Sequence, residues 1–221
     1  METQTLRRFK TRREAGRELV RSLSKYTGDP SAVVLALPRG GVPVAYEVAM
    51  ALRLPMDVFE VRKLGVPGHE ELAMGAIGSG GGWYLNREII GALDVDRAQI
   101  AAVVERERAE LKRRERLYRD SRPRQEIDGK TVILVDDGVA TGASMFAAIG
   151  ALRSSHVARI VVAVPVGAVE TCETLRGEVD ELVCLRMPEQ FYAVGTWYER
   201  FDQVSDDQVR ALLNDAYGRT P

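Results

Sequence analysis

The sequence predicts an α/β domain with a doubly wound, mainly parallel sheet, helices on both faces and one inserted long helix. Short apolar runs rich in β-branched residues recur without period-two alternation, as is typical of strands buried on both faces. They cover residues 32–37, 57–61, 131–135, 159–164 and 181–185. Helical stretches lie between several of them, at 42–53, 142–153 and 168–177, which gives the strand, helix, strand order of parallel crossovers.

Length, charge and hydropathy set bounds on the domain and its partners. The 221 residues, 45% of them hydrophobic, suit a single domain over 1–221 with its core at about 30–186. The formal net charge of -1 offers no overall field for nucleic acid or an anionic membrane, so we expect a small-molecule partner. No apolar run reaches the roughly 18 residues of a bilayer span, and the N-terminus lacks a signal-peptide core. A cytoplasmic protein is therefore expected.

The two cysteines carry no metal or redox pattern. Cys172 falls in a predicted helix and Cys184 in a predicted strand, without the paired spacing of a zinc site. Both are interpreted as buried thiols in a reducing compartment.

Two segments interrupt the alternation of strands and helices. Residues 64–86 are predicted to be a polar, glycine-bearing loop, in which Gly80–Gly82 forms a turn between short strands or, as the weaker alternative, a phosphate cradle. Residues 96–119 predict a long helix whose interleaved acids and bases favour a solvated face over a nucleic-acid stripe. Its apolar stripe, which also suits a homodimer, comprises Ile100, Val103, Val104, Leu111 and Tyr118. Further helices are predicted at 11–25 and about 205–217.

The segment Val132–Ser144, VILVDDGVATGAS, has the character of a ligand-binding turn. An apolar strand ends in Asp136 and Asp137, and acids at the carboxyl end of a central parallel strand project into the ligand crevice. The following glycines and the hydroxyls of Thr141 and Ser144 then lead into a helix N-terminus, which suits a phosphate monoester. Together these groups fit a sugar phosphate. The alternative is an acid pair at a strand end followed by an ordinary helix cap.

This segment resembles the signature for phosphoribosyl pyrophosphate (PRPP) in the type I phosphoribosyltransferases. The resemblance implies that Asp136 and Asp137 are catalytic and hold the ribose 2- and 3-hydroxyls. It implies that the 5-phosphate is held by Val139, Ala140, Thr141, Gly142, Ala143 and Ser144. The activity it implies is Mg²⁺-dependent transfer of the 5-phosphoribosyl group to a nitrogenous base with release of pyrophosphate. The metal is expected to be held mainly by substrate and water, without a direct protein ligand.

A second glycine turn follows the first predicted strand. Taken alone, Arg39-Gly40-Gly41 is weak evidence for a site, but its position resembles the family's pyrophosphate loop, which makes Arg39 catalytic and assigns pyrophosphate contacts to all three residues. The family often carries a non-proline cis peptide there, and the matching bond is Pro38–Arg39.

The cations Arg62 and Lys63 end the second predicted strand. Such a pair is also common as simple solvated charge. In the resemblance, Lys63 is a catalytic residue that contacts the pyrophosphate, and the loop after it, with His69, is a mobile catalytic flap.

An aromatic cluster lies near the C-terminus in residues 187–198. It is either satellite core packing or, as in the C-terminal hood of purine-salvage members that it resembles, a surface for the base. The hood is placed at about 187–204, with Phe191 as the main stacking candidate and Tyr192 and Trp197 beside it.

One departure from the family pattern concerns the acceptor. Members that act on hypoxanthine and guanine carry an acid where this chain has Ala140, so adenine, pyrimidine or orotate-type acceptors are favoured. A PRPP-sensing regulatory or binding protein without turnover is the alternative function.

Overall fold

The computed structural model describes residues 7–119 and 122–219. Its centre is a five-stranded parallel sheet in the order β2-β1-β6-β7-β8. These strands are β1 (Ala32–Ala36), β2 (Met56–Val58), β6 (Thr131–Val135), β7 (Arg159–Val166) and β8 (Glu181–Arg186). The predicted doubly wound sheet is confirmed.

Helices cover both faces of this sheet because successive strand residues point to opposite sides. On β1, Val34 and Ala36 belong to one buried cluster, whereas Val33 and Leu35 belong to another. The first face is covered by α1 (Arg12–Ser22), α2 (Gly41–Leu52) and α7 (Asp206–Arg219). The second is covered by α5 (Ala143–Arg153) and α6 (Val169–Glu178).

The predicted strand 57–61 exists but ends earlier, at Val58, and the predicted loop 64–86 is wrong. The chain leaves the parallel sheet after Val58 and forms a separate antiparallel sheet in the order β3-β4-β5. These strands are β3 (Val61–Val66), β4 (His69–Gly78) and β5 (Trp83–Leu85), and we call them the hairpin sheet. The register of β3 and β4 shifts on both sides of Gly65. Such shifts break the alternation of inward and outward side chains by which a strand is recognised in a sequence. Gly80–Gly82 is the predicted turn, with the Gly81 N–H donating to the Gly78 carbonyl at 3.0 Å.

The long helix α4 (Arg97–Arg119) follows a short α3 (Arg87–Ala92) and packs on the hairpin sheet. Of its predicted apolar stripe, Val103, Val104 and Leu111 are buried against the hairpin sheet, and Ile100 packs beside them. Tyr118 instead joins the buried cluster on the first face of the parallel sheet. Acidic residues of α4 form ion pairs with several of its basic residues, as in Glu110 with Arg114 at 3.0 Å and Glu115 with Arg119 at 3.0 Å. In the part of the chain that the structure describes, no helix is both long and apolar enough to cross a membrane.

The segment predicted as the hood is irregular apart from a short 3-10 helix at Val194–Trp197. Phe9 ties it to the N-terminus by pairing with Tyr198, and the Phe9 N–H donates to the Trp197 carbonyl at 2.9 Å. Both cysteines are free thiols, and Cys172 is buried as predicted. Cys184 is only partly buried, because β8 is an edge strand of the sheet.

Candidate active site

A cleft lies at the carboxyl edge of the parallel sheet, where β1 and β6 run side by side. Ala36 at the end of β1 is in register with Val135 at the end of β6, so the loops that follow the two strands start together. The cleft has a volume of about 410 Å³. It is lined by Arg12, Arg39, Gly40, Asp136, Asp137, Phe201, Gln203 and Val204. The position matches the general rule that open α/β sheets bind ligands outside the carboxyl ends of their strands.

The two predicted glycine-bearing motifs meet in this cleft. A Cβ atom on Gly40 would lie 2.1 Å from Asp137 Oδ2, and one on Gly41 would lie 2.6 Å from the Val135 carbonyl oxygen. Only glycine lets the loop after β1 come this close to the acids. The Pro38–Arg39 bond is cis, as the resemblance implies.

Arg39 is held at the rim of the cleft by an acid of α7. Its Nη1 lies 3.7 Å from Asp206 Oδ1, and the Tyr118 hydroxyl donates to the same carboxylate oxygen at 2.8 Å. The Arg39 side chain remains 40% exposed. A weak, solvent-accessible ion pair of this kind leaves the guanidinium able to turn toward an anionic ligand.

The adjacent carboxylates of Asp136 and Asp137 have different partners. Asp136 Oδ1 accepts from the Asp137 N–H at 2.8 Å, whereas Asp137 Oδ2 accepts from Arg12 Nε at 2.7 Å. Burial, and then the charge of Asp137, raises the pKa of Asp136 well above its ordinary value. Burial also raises the pKa of Asp137, and the hydrogen bond and charge of Arg12 oppose this rise. The site therefore favours ligand groups that donate hydrogen bonds, such as sugar hydroxyls.

The residues Gly138–Ser144, which we call the phosphate turn, are braced against the neighbouring parts of the sheet. The Val139 N–H donates to the Val166 carbonyl at 2.9 Å, and Thr171 Oγ1 of α6 donates to the Ala140 carbonyl at 2.5 Å. Gly142, at φ +72°, begins α5 in a backbone conformation that side-chain-bearing residues rarely adopt. Thr141 and Ser144 are exposed beside it. The turn thus presents hydroxyls at a helix N-terminus, where an anion is stabilised.

The predicted pair of cations, Arg62 and Lys63, lies on the hairpin sheet. Arg62 Nε donates to Glu107 Oε2 of α4 at 2.9 Å, so this guanidinium is used to hold the long helix. Lys63 is exposed on β3 and is not among the residues that line the cleft. His69 begins β4 with its side chain 65% exposed. The predicted flap is thus an ordered hairpin with a turn at Gly68, rather than a loop.

The three predicted base-binding aromatics lie in the hood. Phe191 and Trp197 are partly buried and pack on a cluster that includes Phe9 and Tyr198, while Tyr192 is 84% exposed. The aromatic ring that lines the cleft belongs instead to Phe201, within the predicted hood range but not singled out from the sequence.

Sequence reasoning also missed Arg12. This residue begins α1 directly after the N-cap residue Thr11, whose side chain accepts from the Glu14 N–H. No local signal distinguishes Arg12 from the basic residues around it, because its contact with Asp137 spans 125 positions.

The carboxylates that line the cleft are those of Asp136 and Asp137. Residues 7–119 and 122–219 contain no group of three or more His, Cys, Asp or Glu side chains placed to hold a metal ion. The oxygen-rich cleft nevertheless suits a hard cation that arrives with a polyphosphate and keeps most of its water.

The fold and the cleft together define a class of protein. It is a doubly wound α/β domain in which an acid pair, a glycine-bearing turn at a helix N-terminus and a basic glycine loop lie at one sheet edge. A family model described as the phosphoribosyl transferase domain matches residues 6–199. The chain belongs to this family.

Relatives of known sequence and structure agree with this assignment. Two curated Mycobacterium tuberculosis proteins, from strains CDC 1551 and H37Rv, carry the name "Putative phosphoribosyl transferase" and are 44% identical over 209 residues, or 95% of this chain. The match covers 47% of each relative, so the chain spans about half their length. A crystal structure of TT1426 from Thermus thermophilus superposes with a TM-score of 0.84 at 43% identity, covering 94% of this chain and 98% of that one.

Proposed function

We propose that the chain binds PRPP in the cleft and transfers its 5-phosphoribosyl group to a nitrogen nucleophile, with release of pyrophosphate. The observation that carries the proposal is the contact of the acid pair with the Arg39–Gly41 loop at one sheet edge. The phosphate turn follows the acid pair directly in the chain, next to the residues that line the cleft. A sugar bearing a 5-phosphate, free 2- and 3-hydroxyls and a pyrophosphate presents three chemistries that match these three elements.

Each element then has a role in binding. The peptide N–H groups and hydroxyls from Ala140 to Ser144 take the 5-phosphate, since the Val139 N–H is bound to the Val166 carbonyl. The carboxylates of Asp136 and Asp137 accept hydrogen bonds from the ribose hydroxyls. The Gly40 N–H and the guanidinium of Arg39 take the pyrophosphate. The Gly41 N–H donates to the Leu37 carbonyl at 3.0 Å, so the part of Gly41 is to allow the loop to come close to the acids. In this account Arg39 exchanges its exposed ion pair with Asp206 for the ligand.

The reaction breaks the bond between ribose C1 and the pyrophosphate oxygen and forms a bond between C1 and the acceptor nitrogen. The electron pair of the broken bond leaves on pyrophosphate, and the acceptor nitrogen loses a proton to solvent or to the departing anion. Mg²⁺, when bound with PRPP, supplies charge neutralisation for the leaving group. The chain's own contribution is to position the sugar and to stabilise the departing anion through Arg39.

Lys63 is proposed as a second cation for the pyrophosphate. It lies on β3 of the hairpin sheet, so reaching the cleft requires this sheet to close as a unit over the ligand. His69, near the tip of the same hairpin, would move with it. Closure would also exclude the water that otherwise hydrolyses the sugar.

The acceptor base is proposed to lie against the hood. Phe201 lines the cleft and is 36% exposed, with Arg12 over its ring at 3.7 Å, so the base would contact the exposed part of this ring. Phe191, Tyr192 and Trp197 lie outside the lining and would join only after a movement of the hood. Because Ala140 offers no acid to a base nitrogen, adenine, pyrimidine or orotate-type acceptors are favoured over 6-oxopurines.

The assay is pyrophosphate release from PRPP and Mg²⁺ across a panel of adenine, uracil, orotate, hypoxanthine and guanine. We expect release that depends on one of the first three bases and is absent without a base. PRPP binding with no base turned over would overturn the transferase proposal in favour of a PRPP-sensing protein. Charge pairing along α4, as in Glu110 with Arg114, gives that alternative no basic stripe for nucleic acid.

A further inference from the structure

Arg12 lines the cleft although it belongs to neither the Val132–Ser144 motif nor the Arg39–Gly41 loop. We propose that it is a positioning residue for the ribose site, which holds Asp137 as an oriented carboxylate ready to accept ribose hydroxyls. This inference rests on the proposed PRPP function, and it adds α1 to the elements that build the site.

Three contacts fix the Arg12 guanidinium. Its Nε donates to Asp137 Oδ2 at 2.7 Å, its Nη1 donates to the Asp202 carbonyl at 2.7 Å, and its plane lies 3.7 Å from the centroid of the Phe201 ring. The side chain is only 11% exposed. A guanidinium held at a carboxylate, a carbonyl and an aromatic face has little freedom left, so it fixes the carboxylate that it binds.

The charges around Asp137 explain how its contact with Arg12 affects the protonation of its carboxylate. The groups that face Asp137 are the carboxylate of Asp136 from the end of β6, Arg12 from α1 and Arg39 from the loop before α2. The Tyr198 hydroxyl donates to the Asp137 carbonyl at 2.5 Å and so anchors its backbone. Burial raises the pKa of both acids, and Arg12 is the cation that hydrogen-bonds the Asp137 carboxylate directly. Without it, Asp137 would take up a proton at a higher pH and lose an acceptor site for the ribose.

Arg13 provides a matched control one position along α1. Its Nε lies 3.1 Å from Glu47 Oε1, its guanidinium lies 5.1 Å from the Tyr46 ring, and its side chain is 49% exposed. Arg13 thus resembles Arg12 in chemistry and helix position but faces α2 rather than the acid pair.

The test measures two properties of Arg12→Gln, Arg12→Lys and Arg13→Gln. The first is the affinity for PRPP with Mg²⁺ by calorimetry between pH 5.5 and 8.5. Loss of one charge-assisted hydrogen bond predicts about tenfold weaker binding or more for Arg12→Gln at pH 8. We expect this deficit to grow as the pH falls, while Arg12→Lys keeps the wild-type pH midpoint and Arg13→Gln matches wild type throughout.

The second property needs no ligand. Carbon-13 carboxyl NMR of the free protein follows the titration of Asp137, whose pKa we expect to be higher in Arg12→Gln than in wild type and unchanged in Arg13→Gln. An Asp137 titration that is the same in wild type and Arg12→Gln overturns the role of Arg12, whatever PRPP does. If wild type does not bind PRPP but the Asp137 pKa is higher in Arg12→Gln as expected, the proposed function is overturned instead. Thermal melting of each variant establishes that it is folded.

Discussion

Gly40 and Asp137 are in contact across the cleft, and the contact leaves no room for a side chain on Gly40. A Cβ atom at that position would lie 2.1 Å from Asp137 Oδ2 and 2.7 Å from its Cγ. The loop after β1 and the acids after β6 therefore form one surface. Either the loop or the carboxylate has to move if Gly40 is replaced.

Gly40→Ala should for this reason weaken PRPP binding by about tenfold or more, because a shift of a few tenths of an ångström to an ångström at a binding group commonly has this effect. Calorimetric titration with PRPP and Mg²⁺ measures it. Gly91→Ala is the control, since Gly91 lies in the helix α3 and a Cβ there meets no atom within 4 Å. Equal affinities for Gly40→Ala and wild type would contradict the close approach of the two motifs.

The phosphate turn depends on a hydroxyl of α6. Thr171 Oγ1 donates to the Ala140 carbonyl, so Thr171→Val keeps the shape but leaves this carbonyl without that donor. A lost hydrogen bond of about 1 kcal/mol predicts a fivefold reduction, in order of magnitude, in the affinity for PRPP and for ribose 5-phosphate. Thr174→Val serves as the control, because Thr174 Oγ1 donates to the Glu170 carbonyl within the same helix at 3.0 Å. If both variants lose affinity equally, the effect belongs to α6 and not to the turn.

The hood offers two candidate rings for the acceptor. If Phe201 stacks on the base, Phe201→Leu removes about 1 to 3 kcal/mol of stacking and raises the acceptor KM about fivefold to a hundredfold. Leucine keeps an apolar contact for Arg12, so the affinity for PRPP should change less than the acceptor KM. Phe191→Leu is the companion variant. A larger rise in acceptor KM for Phe191→Leu than for Phe201→Leu would place the base on Phe191.

Glu60 gives the fold a pH dependence of predictable sign. It is 3% exposed at the junction of β2 and β3, and burial raises its pKa from 4.5 to about 7, although Arg114, Arg62 and Arg119 lower it and Glu115 raises it. Between these two pH values the folded state holds a proton that the unfolded state has released. Stability therefore falls as the pH rises through this window and is lower above pH 7, by at most about 3 kcal/mol.

Urea unfolding at pH 5 and pH 8 measures this dependence. Glu60→Gln should lose less stability than wild type between pH 5 and pH 8, the remaining loss coming from other buried acids such as Asp136 and Asp137. At pH 8 the variant should unfold at a higher urea concentration than wild type. Glu105→Gln, at a side chain that is 69% exposed, should retain the wild-type dependence. A wild-type protein that is more stable at pH 8 than at pH 5, with Glu60→Gln behaving identically, would contradict the assignment to Glu60.

The parts of the fold that depend on local sequence were predictable. Runs such as Thr131–Val135 contain β-branched residues on both faces, and their burial on two sides by helices requires this composition. The acid pair and the phosphate turn follow one such strand directly in the chain. Their grouping at the sheet edge therefore needs no long-range information.

The parts that depend on distant contacts were not predictable. In β4, Gly75 allows the chain to approach the Tyr84 carbonyl of β5, where a Cβ would lie 2.2 Å from the oxygen, so a residue that usually signals a loop here belongs to a strand. Arg12 reaches Asp137 only because α1 packs beside α2 on the sheet, and Phe201 reaches the cleft only through the path of the hood. No periodicity in the sequence indicates these long-range contacts.

The central claim is that the Asp137 carboxylate accepts hydrogen bonds from the ribose hydroxyls in a PRPP site. Asp137→Asn tests it most directly because the amide keeps the shape and removes the charge. Calorimetric titration of wild type, Asp137→Asn and Asp96→Asn with PRPP and Mg²⁺ is the measurement. Asp96 is the control because its Oδ1 accepts from the Gln99 N–H at the start of α4, a role that asparagine also fills. We predict binding by wild type and Asp96→Asn, and binding by Asp137→Asn that is weaker by about thirtyfold or more. The same affinity for Asp137→Asn and wild type would contradict the account.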